Sequence, residues 1–106
     1  MKEKEKDTIH GLNRDYFDFL ICETFLARNL PNPSSKEIDR AIEKIDGLAR
    51  KVLENSFRLE NPQAIAQECA LSTARVRELY NLGFNKVCIL LEKEAENKQE
   101  RKNEID

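Results

Sequence analysis

Residues 64–79 read AIAQECALSTARVREL. Ile65 and Cys69 are spaced as inward residues of a first helix, and Ala66 is small where a second helix would cross closely. Leu71 falls in a turn, Ser72 stands where a helix cap is wanted, and Val76 and Leu79 anchor the helix that follows. This is the pattern of a DNA-binding helix-turn-helix. Thr73, Ala74, Arg75 and Arg77 then fall outward, and the two arginines have the donors to reach guanine edges or phosphates. Ser72, Thr73, Arg75, Arg77 and Lys86 are the DNA-binding candidates.

Three features pull the other way. Ala70 occupies the turn position where Gly is usual, so left-handed backbone there would be strained. Residues 61–91 carry three basic and two acidic side chains, a net of +1, so counterion release contributes little and autonomous DNA affinity would be poor. The stripe Val76, Leu79, Tyr80, Phe84, Val87, Cys88 and Leu91 continues in phase through Gly83, which carries the second helix on into packing. The alternative is an αα-hairpin that serves only as core.

Upstream, a first helix is expected from about Leu12 to Asn29. Its apolar residues Leu12, Tyr16, Phe17, Phe19, Leu20, Ile21, Phe25 and Leu26 spread well beyond the stripe of an ordinary surface helix. A short chain covers such a helix most cheaply with a second copy of itself. A homodimer is therefore expected, with Leu12, Tyr16, Phe17, Phe19, Leu20 and Phe25 at its interface; a central core helix in a monomer is the alternative. Leu30-Pro31-Asn32-Pro33 breaks the helix, and Ser34 with Glu37 forms a capping box for the next. Ile38, Ala41, Ile42, Ile45, Leu48, Ala49, Val52 and Leu53 share one face, so a single helix is expected to pass through Gly47 at a cost of about 1 kcal/mol. Ser56 to Glu60 loses that period and reads as an extended connector. Asn61-Pro62 restarts the helix as N-cap and first residue.

Composition narrows the functional classes. Charged residues make up 36% of the 106, but 16 of the 38 charges lie in the runs Lys2–Asp7 and Glu92–Asp106. The other 85 residues carry 22, about the ordinary quarter, evenly split between signs. A strongly basic nucleic-acid coat and an acidic sponge are both excluded. No apolar run approaches the ~20 residues needed to cross a bilayer, and the Lys-Glu-Lys-Glu-Lys opening suits a cytoplasmic protein. Cys22, Cys69 and Cys88 are odd in number and widely spaced, which argues against a disulfide framework or zinc knuckle and for small apolar side chains. His10 is the only histidine, and no Gly-rich loop cradles a phosphate. No nucleophile, base or metal cluster assembles, so a non-enzyme without cofactor or metal is expected.

Several segments together resemble a known family. Leu12-Asn13-x-x-Tyr16 opening an apolar first helix, Phe57-Arg58-Leu59 followed by Gln63-x-Ile65-x-Gln67, and Gly83 with Leu90-Leu91 resemble the FlhD family, the D subunit of the bacterial flagellar master activator. The resemblance covers roughly residues 12–29 and 48–92; residues 31–44 are shorter and do not align. It implies an all-helical homodimer whose C-terminal arm carries a helix-turn-helix-like unit. It further implies a zinc-containing FlhC-like partner, promoter DNA bound by the mixed complex, and recruitment of RNA polymerase. By matching position the arm would be Asn61 to about Leu91, with Arg75 and Arg77 as candidate DNA contacts. A cysteine of the flagellar protein falls at about Asn55 here, so a disulfide bridging subunits at that place is not expected.

The expected architecture is thus an all-α homodimer in four parts: a charged N-terminus (1–9), a helical dimerisation region (10–55), a helix-turn-helix-like arm (56–92) and a charged C-terminal tail (93–106). The expected function is a transcriptional activator subunit that joins an FlhC-like partner on promoter DNA. The rival is a protein-only helical adaptor, an anti-activator or secretion-type chaperone that holds a client helix and never touches DNA. A repressor of antitoxin type, binding DNA alone, would want a more basic arm.

Overall fold

A computed structural model describes residues 13–59 and 61–105, with side chains to residue 97. Its described residues form five helices and no strand: α1 (Arg14–Ala27), α2 (Ser35–Glu43), α3 (Gly47–Leu59), α4 (Pro62–Cys69) and α5 (Thr73–Ile105). The protein is all-α. Leu12, His10, the charged run at 1–9, Glu60 and the Lys98 side chain lie outside the described residues.

Local chemistry sets most helix ends. Asn13 caps α1 by accepting from the Tyr16 N–H at 2.8 Å. Ser34 accepts from the Glu37 N–H at 3.2 Å while Glu37 Oε1 accepts from the Ser34 N–H at 2.8 Å, completing the expected capping box of α2. At the far end of α1, Asn29 turns left-handed (φ 58), and the Leu30 N–H closes back on the Phe25 carbonyl at 2.9 Å. That is a Schellman closure.

Two expectations fail between residues 44 and 60. The single helix through Gly47 is in fact two. α2 stops at Glu43, and Gly47 opens α3 with φ +74, a left-handed backbone that costs glycine nothing. The apolar rhythm survives because Ile45, in the intervening loop, is still buried. The extended connector from Ser56 is also absent: α3 continues to Leu59, and Ser56 is fully buried, its Oγ donating to the Leu53 carbonyl at 2.7 Å. A serine that satisfies its hydroxyl locally can occupy a core position, so the apolar period only seems interrupted when side chains are read as letters.

One continuous core joins all five helices. Phe17, Ile21 and Phe25 from α1 meet Ile38 and Ile42 from α2, Val52 and Leu53 from α3, Ile65 from α4, and Val76, Val87 and Leu91 from α5. Phe17 lies at its aromatic centre, edge-on to Phe57 (5.1 Å), Phe84 (5.4 Å) and Tyr80 (6.0 Å between centroids). Burial, with Tyr16 nearby, pushes the Tyr80 phenol up to about 12. At the α3–α5 crossing, a Cβ on Gly83 would stand 2.8 Å from Leu53 Cδ1 and 2.9 Å from its Cγ. α5 runs unbroken past this point; Gly83 permits a close approach and does not interrupt the helix.

Arg14 clasps three helices from the edge of the core. Its Nε donates to Asp18 on α1 and its Nη2 reaches Asp39 on α2, both at 2.7 Å, while the guanidinium lies over the Phe57 ring of α3 at 5.6 Å. Burial alone would lower its pKa; hydrogen bonds to the two aspartates outweigh that and raise it. Arg28 at the end of α1 pairs with Glu92 of α5, so these two helices run in the same direction.

Candidate nucleic-acid interface

The stretch at 61–82 holds a short helix, a tight turn and the start of a longer helix. Asn61 accepts from the N–H groups of Gln63 (2.8 Å) and Ala64 (3.3 Å), and Pro62 takes the first helical position, where a missing N–H is harmless. α4 ends at Cys69, and Ala70 adopts φ 57, ψ 47. The Leu71 N–H bonds the Ala66 carbonyl at 2.9 Å and the Ala70 N–H bonds that of Gln67 at 3.3 Å, a Schellman closure without its usual glycine. Left-handed backbone at an alanine costs about 1 kcal/mol. Leu71 packs against the core, and Ser72 Oγ accepts from the Arg75 N–H at 3.1 Å to start α5.

Inward and outward residues fall as the sequence pattern assigns them. Ile65, Ala66, Cys69, Val76 and Leu79 are buried; Ser72, Thr73, Ala74, Arg75, Arg77 and Lys86 are exposed. These exposed residues do not form one surface, however. Arg75 and Arg77 are two positions apart on a helix, hence about 200° apart around its axis. Arg75 also pairs with Glu78 at 3.0 Å. Arg77 makes no ion pair with any described residue and, four positions on from Thr73, shares a helix face with it. Lys86 is about 20 Å along the axis from Thr73. It stands between two exposed apolar side chains, Leu82 (45% exposed) and Ile89 (51%). That setting suits a protein surface better than a phosphate backbone.

Sequence reasoning missed α3 as part of the unit. α3 packs on both α4 and α5, so the three helices form one trihelical unit. Asn55 Nδ2 lies 3.6 Å from Cys69 Sγ, at the end of α4, and its Oδ1 accepts from Arg58 at 2.5 Å. On the outer face of α3, Lys51 and Arg58 are seven residues apart, so they share one line. With α3 included, residues 47–91 carry six basic and four acidic side chains, a net of +2 where 61–91 has +1. A helical period carried past Ser56 would have revealed this.

The expected dimer residues on α1 divide in two. Phe17 and Phe25 are buried at 0% and 1% by this chain's own helices, which corrects their placement at a dimer interface. Tyr16 and Phe19 remain exposed, stacked at 5.9 Å between centroids; Leu20 is half-buried, and Leu26 is the most open of the group at 63%. One chain therefore covers one side of the apolar helix and leaves a stripe on the other.

Cys22 and Cys88 are poorly placed for redox work. Burial pushes the Cys22 thiol up, with Asp18 and Glu23 adding to it. Burial also raises Cys88, partly offset by Arg28. A raised pKa leaves little thiolate to react. Among the described residues no group of three or more His, Cys, Asp or Glu side chains is positioned to hold a metal ion, and no described helix is long and apolar enough to cross a membrane. No protein-family model, curated protein or solved structure matches the chain.

Proposed function

We propose that this protein is a DNA-contacting subunit of a transcription activator that works as part of a larger assembly. It self-associates through the exposed side of α1 and joins a second, FlhC-like zinc-containing subunit on promoter DNA, from where the assembly recruits RNA polymerase. The single observation that carries this reading is the turn at 70–72. The chain accepts a strained alanine there, and caps both flanking helices, to hold Thr73, Ala74 and Arg77 at an exposed helix start. Helix-turn-helix proteins present base-reading residues at that place.

A net of +2 over the trihelical unit supplies few phosphate partners, so affinity has to come in part from another subunit. The order of Leu12-Asn13-x-x-Tyr16, Phe57-Arg58-Leu59 and Gly83, which resembles the FlhD family, supports the same assignment. A gel shift on promoter DNA, with and without the FlhC-like subunit, tests it. A shifted band that requires both proteins, and that weakens when Arg75→Ala and Arg77→Ala are combined, is expected. Unchanged affinity and salt slope in that double variant would remove the arm from the DNA.

One observation favours a second reading. Exposed Tyr16, Phe19, Leu26, Leu48, Leu82 and Ile89 leave large apolar side chains open on this small chain, as an adaptor holding client helices would have. Co-purification separates the two: an exported client supports the adaptor, and a zinc-containing partner supports the activator.

A further inference from the structure

α1 and α5 each leave one stripe uncovered, and the stripes match. On α1 the stripe is Phe19, Glu23 and Leu26, with the two apolar residues 54% and 63% exposed. On α5 it is Leu82, Lys86 and Ile89, with the apolar pair 45% and 51% exposed. Each stripe has an apolar residue, a charge four positions on and a second apolar residue three beyond that. The spacing is the same and the charges are opposite. Seven residues place the apolar pair about 10 Å apart along either helix, on one side, with the charge between them. Laid side by side in parallel, Phe19 meets Leu82, Glu23 meets Lys86, and Leu26 meets Ile89.

The charges also decide against the simpler arrangements. Neither Glu23 nor Lys86 has an ion-pair partner among the described residues. The exposed side of α1 carries Asp15 and Glu23 and no free cation, since Arg14 is held by Asp18 and Asp39 and Arg28 by Glu92. Two α1 stripes pressed together would therefore oppose acid to acid. Two α5 stripes would oppose Lys86, with Lys93 a further cation on the same line. Like charges facing each other are penalised in an interface, and opposite charges steer and register it.

We infer that α1 of one copy docks on α5 of a second copy, with Glu23 beside Lys86. This rests on the reading that the chain self-associates and names the opposing surface. It also moves Lys86 from DNA to protein contact. Because the two patches differ, the contact is heterologous within each pair of helices, and closure requires each copy to use both of its stripes.

Sedimentation equilibrium at about 100 µM and below, a range that reports weak contacts of this size, provides the test. Wild type is expected to associate. Glu23→Lys and Lys86→Glu should each weaken association about tenfold or more, with helical circular dichroism unchanged because both side chains are exposed. Mixed in equal amounts, the two variants should associate again, since each then finds an opposite charge on the other. Combining both reversals in one chain should restore self-association. A wild type that stays a single copy would overturn the docking, while leaving the gel-shift test of DNA binding to stand by itself. Association indifferent to both reversals, or variants that stay apart when mixed, would overturn the α1–α5 contact and leave self-association by some other surface.

Discussion

The first three turns of α5 and the three that follow belong to one uninterrupted helix and present opposite surfaces. From Thr73 to about Asn81 the exposed residues are small, polar or charged, with the one acid, Glu78, paired to Arg75, and they begin at a capped, tightly turned N-terminus. From Leu82 to Ile89 the exposed residues are two large apolar side chains, Leu82 and Ile89, with Asn85 and Lys86 between them. The boundary between them is Gly83, where α3 crosses most closely. On the proposed function, one helix offers its start to a nucleic acid and its middle to another protein. Net charge over the whole helix would hide this division.

The two halves should respond separately to mutation. The largest expected effect is on the apolar half: Leu82→Asp with Ile89→Asp should weaken self-association by about a hundredfold, the scale of losing two central apolar contacts, with little change in melting temperature. Retained association in that variant would erase the distinction between the halves.

Next comes the aromatic seat under the boundary. Tyr80 is held neutral in the fold up to about 12, against an ordinary value of 10.0. Its folded pKa is raised, so the contribution to stability is complete below the unfolded value and is lost as pH climbs from about 10 through 12. Chemical denaturation should show a loss approaching about 2 kcal/mol over that window, and Tyr80→Phe should flatten it.

Gly83→Ala sharpens the comparison at the crossing itself. Helix propensity alone would stabilise by about 1 kcal/mol, but the new methyl meets the fully buried Leu53 below 3 Å, so a net loss of about 1 kcal/mol is expected from denaturant midpoints. The smallest effect belongs to the turn. Ala70→Gly relieves left-handed strain and should stabilise by up to about 1 kcal/mol without changing DNA affinity. A destabilised Ala70→Gly variant would mean the turn is not closed as described.

Much of this was legible in the sequence where the controlling forces are local. Ser34 with Glu37, Asn61 with Pro62, and Ser72 act on N–H groups within three residues, and all three caps form as read. The inward set Ile65, Ala66, Cys69, Val76 and Leu79 follows from helical period alone. The break at Gly47 was hidden because Ile45 keeps the apolar phase through the loop, so hydrophobicity could not report a change of backbone. Ser56 hid the end of α3 for the opposite reason, being polar by type but buried by context. On α1, the i, i+4, i+8 series Phe17, Ile21 and Phe25 could have been separated from Tyr16, Phe19 and Leu26 by angle. Counting apolar residues without their angles overstated how much a second copy must cover. Of the Arg14 clasp only the i,i+4 spacing to Asp18 was local; Asp39 and Phe57 come from two other helices and left no signal in the sequence.

The division of α5 is tested most directly by the salt dependence of promoter binding in the assembled complex, with protein held above its association range. Arg77→Ala should lower affinity about tenfold and reduce the slope of log affinity against log salt by about 1, while Lys86→Ala should leave that slope unchanged. A slope that falls with Lys86→Ala and stays fixed with Arg77→Ala would contradict the assignment of the two ends of the helix.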